Sequence, residues 1–379
     1  GAVQIPSSVT YIGVDAFRFC SFTSVAFAEN SKLETINDQA FYGCSLLKTI
    51  EIPNTVTYIG EKAFYNAYAL TGMTFAEGDN EVGLEFAEQA IAYSDRKALN
   101  PMKSFEFPAR TTKIGKNIFY YRLGLEIITF EEGGTLPLAI GDFAFSNATG
   151  TSNASKAQAF MPVKTLTIPA RTTEIGQGAF YAMMELETLV FEEGCELMEL
   201  PNYMAFGCVN LKTIIWPANL QTIGQSAFDM YTSELKYYEY TVAEGVGAAT
   251  EKTREYIGNK VLSSLIFPAS LQEIGQYNFR NVTDLTKVVF ADGTENLIFG
   301  TGTFYTTFAY AGPELSVTFS ANIYEIGSQF FANKNLTGIT FPAGSRLSSI
   351  GRQAFSVVTS GASIPAFDTI TLPSTVTSF

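Results

Sequence analysis

Any chemistry in this sequence has to be built from carboxylates, because histidine is absent. That absence removes Ser-His-Asp and Cys-His nucleophile systems, histidine-based zinc sites and HExxH hydrolysis together. No phosphate-cradling glycine loop opens a helix either, so no cofactor, no catalytic residue and no metal ligand is assigned. The most regular acids are Glu29, Glu77, Glu132, Glu193, Glu244 and Asp292, each beside a turn signal. Such a column could serve as a calcium ladder or supply an acid/base pair. The acids fall on alternate repeats, however, about 10 Å apart once strands stack. That is too far to share one calcium with ligands near ~2.4 Å, so their expected role is to end strands.

The other reactive groups are equally sparse. Cys20 and Cys44 each follow a repeated phenylalanine by three residues, which puts them on adjacent repeats at a separation compatible with a disulfide. Side chains stacked in one direction do not naturally give the torsion, and buried thiols are the competing reading. Cys195 and Cys208 occupy unrelated repeat positions. Net charge is −13, so the long-range field repels nucleic acid and anionic membrane surfaces. No apolar run of membrane-spanning length occurs.

What positions these residues is a repeat. "IPSSVTYIGVDAF" runs from Ile5 to Phe17 and "IPNTVTYIGEKAF" from Ile52 to Phe64. A strand-like phrase (apolar, two small or polar residues, apolar, any, apolar) recurs fourteen times, as in Leu47–Ile52, Leu186–Phe191, Leu211–Trp216 and Leu285–Phe290. Its last three positions alternate as a strand with one covered face should. One kind of phrase ends on proline or a substitute: Pro6, Pro53, Pro108, Pro169, Pro217, Pro268 and Ser320. The other ends on the acids above, near glycine. Proline fixes φ and lacks an N–H, while glycine reaches φ > 0, so both stop a strand sharply.

In all seven proline-type copies, the next core phenylalanine lies twelve residues beyond the strand end. The resulting spine reads Phe17, Phe41, Phe64, Ile91, Phe119, Phe145, Phe180, Phe206, Phe228, Phe279, Phe304, Phe331 and Phe355, with Tyr256 expected to fill the gap after Phe228. A small residue beside each ring lets neighbouring repeats approach.

These residues resemble the BspA-like leucine-rich repeats, whose unit reads approximately L-x-x-I-x-I-P-x-x-V-x-x-I-G-x-x-A-F-x-x-C; LLKTIEIPNTVTYIGEKAF, from Leu46, matches it almost letter for letter. The resemblance covers essentially all of residues 1–379 and implies one leucine-rich repeat solenoid. It would be right-handed, with a parallel β-sheet on the concave face, short helical turns and loops elsewhere, and about fourteen rungs. It also implies display on the bacterial surface and adhesion to a protein or glycan ligand, such as a host matrix protein. The chain starts inside one repeat and ends inside another, as an excised piece of a longer protein would.

Two surfaces are candidates for binding. The exposed column of the sheet reads mainly threonine, but its centre places Val190, Ile215, Ile266 and Val289 around Thr241. β-branched residues favour any strand position, so this is either an ordinary β ladder or an apolar landing strip for a partner. The second surface is a set of insertions after Ile91, Phe145, Phe304 and Phe355, expected along one flank. Binding loops and neutral drift at a tolerant site explain these equally. The rival functions are a passive spacer and a carbohydrate-active protein, which would need two acids converging in a pocket.

Overall fold

In a computed structural model the chain is a parallel β-solenoid of thirteen turns. The structure describes residues 1–78, 81–94, 101–148, 161–230, 258–305, 312–332, 334–356 and 370–379, and the backbone alone for 158–159, 235–243 and 246–254. Two compact units result: residues 1–185 with 234–254, and residues 186–233 with 255–379.

Each turn begins with a strand of three to five residues, such as Thr49–Ile52. Ile50 and Ile52 face inward, while Thr49 and Glu51 are exposed. The proline turn closes by the Val56 N–H donating to the Pro53 carbonyl at 3.1 Å. A second, shorter strand follows, here Tyr58–Ile59, and a tight turn carries the Ala-Phe pair. The first strands of the turns make up a front face, called the front sheet below, and the second strands a back face, with seven back strands laddered in the first unit and six in the second. No helix occurs among the described residues. The expected helical turns are instead hydrogen-bonded β-turns, because every second backbone amide there, as at Gln39, Phe41 and Gly43, is drawn to the neighbouring rung. The Phe41 N–H, for example, donates to Ala63 of the next turn at 2.8 Å.

The tight turn has one recurring strain. The residue two before the spine position is left-handed in all thirteen turns: Gly178, Gly302 and eleven non-glycine residues, including Gln39, Lys62 and Phe143, at φ between 50° and 58°. The spine stacks as predicted. Phe17, Phe41 and Phe64 lie 5.3 and 5.0 Å apart, and Phe279, Phe304 and Phe331 lie 5.3 and 5.2 Å apart, all within 20° of parallel.

The Ile-Gly glycine is where rungs touch. A Cβ on Gly176 would fall 2.3 Å from the Asp142 amide nitrogen, whereas on Gly13 the nearest atom is 3.4 Å away on the Tyr11 ring. Gly176→Ala is therefore expected to cost about 1–3 kcal/mol through forced backbone separation, with Gly13→Ala near neutral. Urea midpoints of the two variants decide it, and equal shifts would refute the close-approach reading.

Three sequence expectations are corrected. The phrase Tyr237-Tyr-Glu-Tyr240-Thr-Val242 is no rung: it lies in strand Leu235–Ala243, which pairs antiparallel with Val246–Arg254 over nine residues. The rung count falls accordingly, and the phrase ending at Leu372 forms no strand among the described residues. Tyr256 lies outside the described residues, but the spine has no gap for it, since Phe228 stacks directly on Phe279 at 5.5 Å and 6°. Finally, Ala205 rather than Phe206 holds the spine position: the Ala205 N–H donates to Ala227 at 2.7 Å, as the Phe41 N–H does to Ala63. Five residues lie between Leu200 and Phe206 where four lie between Ile59 and Phe64, so the extra residue pushes the ring out of line.

The front sheet is not uniform. From a proline-type strand to the next acid-type strand all four residues pair: Ala2–Ile5 with Ser24–Phe27, Thr49–Ile52 with Gly72–Phe75, Ser104–Phe107 with Ile127–Phe130, and Ser264–Phe267 with Lys287–Phe290. In the other direction pairing thins. Ser24–Phe27 and Thr49–Ile52 share only Ser24↔Thr49, and Gly72–Phe75 belongs to a different sheet from Ser104–Phe107. The cause is a donor. At full interfaces the first residue of the acid turn donates back, as from Ala28 N–H to Ile5 and Ala76 N–H to Ile52, both at 2.9 Å. At the reverse interfaces that position is a proline with no N–H, except Ser320, where Lys287–Phe290 pairs three residues with Leu315–Thr318. Among the first strands the front sheet is thus a set of doublets joined at seams, whereas in the second unit Thr188–Phe191 still pairs three residues with Thr213–Ile215.

Candidate functional site

Val190, Ile215, Ile266 and Val289 all lie on the front sheet of the second unit, where strand alternation turns their side chains outward. Val190 pairs in register with Ile215, and Ile266 with Val289. Ile215 is 51% exposed and Ile266 60%, while Val190 and Val289 are half-buried. No ladder joins Thr213–Ile215 to Ser264–Phe267. Two proline-type strands follow one another there, linked by Trp216 and Phe267, whose rings stack at 5.4 Å. A hydroxyl column of Thr188, Thr213 and Ser264 runs beside the strip. Lys212 pairs with Glu187 at 2.7 Å at the strand entry. An apolar ridge edged by hydroxyls and paired charges can bury a complementary surface.

Thr241 is not in this strip. It lies in the antiparallel hairpin, opposite Ala248, because a nearby strand in sequence satisfies its backbone without any solenoid neighbour. The same hairpin takes up Gln158–Ala159 from the insertion after Phe145, with Gln158 opposite Tyr237. Two excursions from different turns therefore meet in one small mixed sheet. Most of the residues inserted after Ile91, Phe304 and Phe355 lie outside the described residues.

Of the predicted acid column, Asp292 accepts the Ala321 N–H at 2.8 Å; Glu131, next to Glu132, accepts that of Ala109 at 2.9 Å, and Glu244 lies outside the described residues. All four cysteines are free thiols. Cys44 lies against the Phe17 carbonyl at 3.0 Å, and burial pushes its thiol up to about 11, which leaves it unreactive.

Sequence reasoning missed the buried cations Arg110 and Lys334 and the half-buried Arg280. Arg110 reaches back across the preceding turns to the Val56 carbonyl at 2.6 Å. Arg280 grips buried Asp229 with Nε 3.0 Å from one carboxylate oxygen. Lys334 is buried and donates to the Val282 carbonyl. Burial lowers its ammonium to about 7, with the Asp284 carboxylate opposing that shift. No single repeat carries the signal for these residues, because their partners lie some fifty residues away, as Val56 does from Arg110 and Val282 from Lys334.

Comparison with known proteins places these features. The profile of the BspA type Leucine rich repeat region matches residues 2–94, 97–160, 156–243 and 253–379, in six copies. No curated protein matches the chain. Among solved structures, the pneumococcal vaccine antigen PcpA is 21% identical, covering 100% of this chain and 73% of its own, with a TM-score of 0.43. A leucine-rich cell surface protein from Faecalibacterium prausnitzii is 18% identical over 92% of this chain and 72% of its own, TM-score 0.37. A leucine-rich repeat protein from Bacteroides ovatus is 19% identical over 94% and 84%, TM-score 0.38. With the repeat profile spanning nearly every turn described above, this chain belongs to the BspA-type leucine-rich repeat family.

Proposed function

We propose that this chain is a non-enzymatic binding protein of the bacterial surface, holding a protein partner such as a host matrix protein on the strip Val190, Ile215, Ile266 and Val289. The observation that carries this reading is the exposure of Ile215 and Ile266, each more than half open on a face whose other exposed positions are mostly threonine, serine or charged. Contiguous exposed apolar surface is what protein interfaces bury at their centre. Family membership supports an interaction scaffold. No described helix is long and apolar enough to cross a membrane.

The double variant Ile215→Glu, Ile266→Glu is expected to abolish capture of a matrix-protein partner, found by screening the purified chain, and to leave its thermal melt unchanged. Both side chains already face solvent, so the fold tolerates the charges while a dry interface does not. Unchanged partner affinity discards the strip, and a screen that retains nothing favours a passive spacer.

A further inference from the structure

The first seam of the front sheet opens a cleft. Beyond the single pair Ser24↔Thr49, the strands Ser24–Phe27 and Thr49–Ile52 have no ladder across them. The space between their turns measures about 430 Å³, within the range of small-molecule sites. Its floor holds the half-exposed Phe27 ring and Pro53, and its rim carries Glu29, Asn30, Glu51 and Asn54. Asn54 is fixed by its neighbour: a Cβ on Gly78 would fall 2.1 Å from the Asn54 amide nitrogen, so the glycine makes room for that amide to lie against the next turn.

A seam alone does not produce this chemistry. A cleft of about 290 Å³ occupies the same repeat position between Pro342–Ser345 and Pro373–Thr375, but its lining has neither carboxylate nor amide side chains. The first cleft adds two carboxylates and two amides to the same backbone opening.

We propose that this cleft binds one ring of a neutral saccharide. Its lining contains no lysine or arginine, so the two carboxylates leave an anionic ligand unpaired and repelled. A purely apolar ligand would strand four polar side chains and the backbone groups that the missing ladder leaves open. A hydroxylated ring meets each demand. Adjacent hydroxyls donate to a carboxylate, the amides both donate and accept, and the ring's C–H face covers Phe27. This site is separate from the apolar strip and does not depend on it.

The test is a glycan array of neutral and sialylated oligosaccharides probed with the whole chain. The wild type is expected to retain neutral glycans. Glu51→Ala, Asn54→Ala should weaken retention by roughly tenfold or more, as loss of two polar partners implies, and Gly78→Ala should weaken it by displacing the Asn54 amide while every lining residue is kept. Thermal melts check folding, and exposed Glu29→Lys serves as a second rim variant if the double change perturbs the turn. Ile215→Glu, Ile266→Glu should retain the glycan fully, so loss of the strip and loss of the cleft are distinguishable. Failure of the wild type to hold any neutral glycan overturns the proposal. So do preference for sialylated forms and undiminished retention by the folded rim variants.

Discussion

Phe279→Ala is expected to lower unfolding free energy by about 3–5 kcal/mol. Phe279 is fully buried, and its ring is sandwiched between Phe228 at 5.5 Å and Phe304 at 5.3 Å with the edge of Phe267 at 5.6 Å. Backbone bonds across the turns fix the spacing: the Phe279 N–H donates to Thr303 at 2.6 Å, and the Tyr277 N–H to Thr301 at 2.9 Å. The walls therefore cannot close on the vacated space, and a cavity term adds to the lost transfer energy. Because each rung touches only its neighbours, the weakening should be concentrated there. Trp216, the one tryptophan, packs 5.3 Å from Phe228 and reports that region by fluorescence during urea unfolding. A loss below about 1 kcal/mol would mean the spine relaxes and is not the stabilising column.

Lys334→Met is expected to act in the opposite direction. The folded protein holds this ammonium down to about 7 from an ordinary 10.5, so between those pH values the unfolded chain binds a proton that the folded chain refuses. Stability therefore rises with pH across that window and is flat below about 7, where both states are charged and the folded one carries the full burial penalty. A methionine fills a similar volume without a charge to desolvate. At pH 6 the variant should be more stable by roughly 3–5 kcal/mol, less about 1 kcal/mol for the donor withdrawn from the Val282 carbonyl. The gain should fade toward pH 10. Urea midpoints at pH 6 and pH 9.5 measure it, and a gain independent of pH would show that desolvation of the ammonium is not its source.

The stacking of turns was legible because it is written in each repeat. The residues from Ile52 to Phe64 contain their own strand, proline stop, glycine contact and ring, and twelve residues from strand end to ring leave no freedom to insert. The alternation Thr49-Ile-Glu-Ile52 likewise fixes which face is covered. Local spacing failed where two arrangements satisfy the same letters. Tyr237-Tyr-Glu-Tyr240-Thr-Val242 alternates as well as any true rung, yet it pairs antiparallel with Val246–Arg254, since a neighbour three residues away closes more cheaply than a distant parallel one. Phe206 looked like a spine ring, but one additional residue shifted Ala205 into its place.

By itself, then, the sequence determined the solenoid, the inward phenylalanines, the outward β-branched column and the lack of histidine chemistry, because periodicity and residue type are properties of each segment alone. The tertiary structure decided which phrases become rungs, where front-sheet pairing thins, that Ile215 and Ile266 lie exposed on strands with no ladder between them, and that Lys334 is desolvated. Those outcomes depend on what the adjacent turn offers: a proline with no N–H, a glycine with no Cβ, or a carbonyl some fifty residues away.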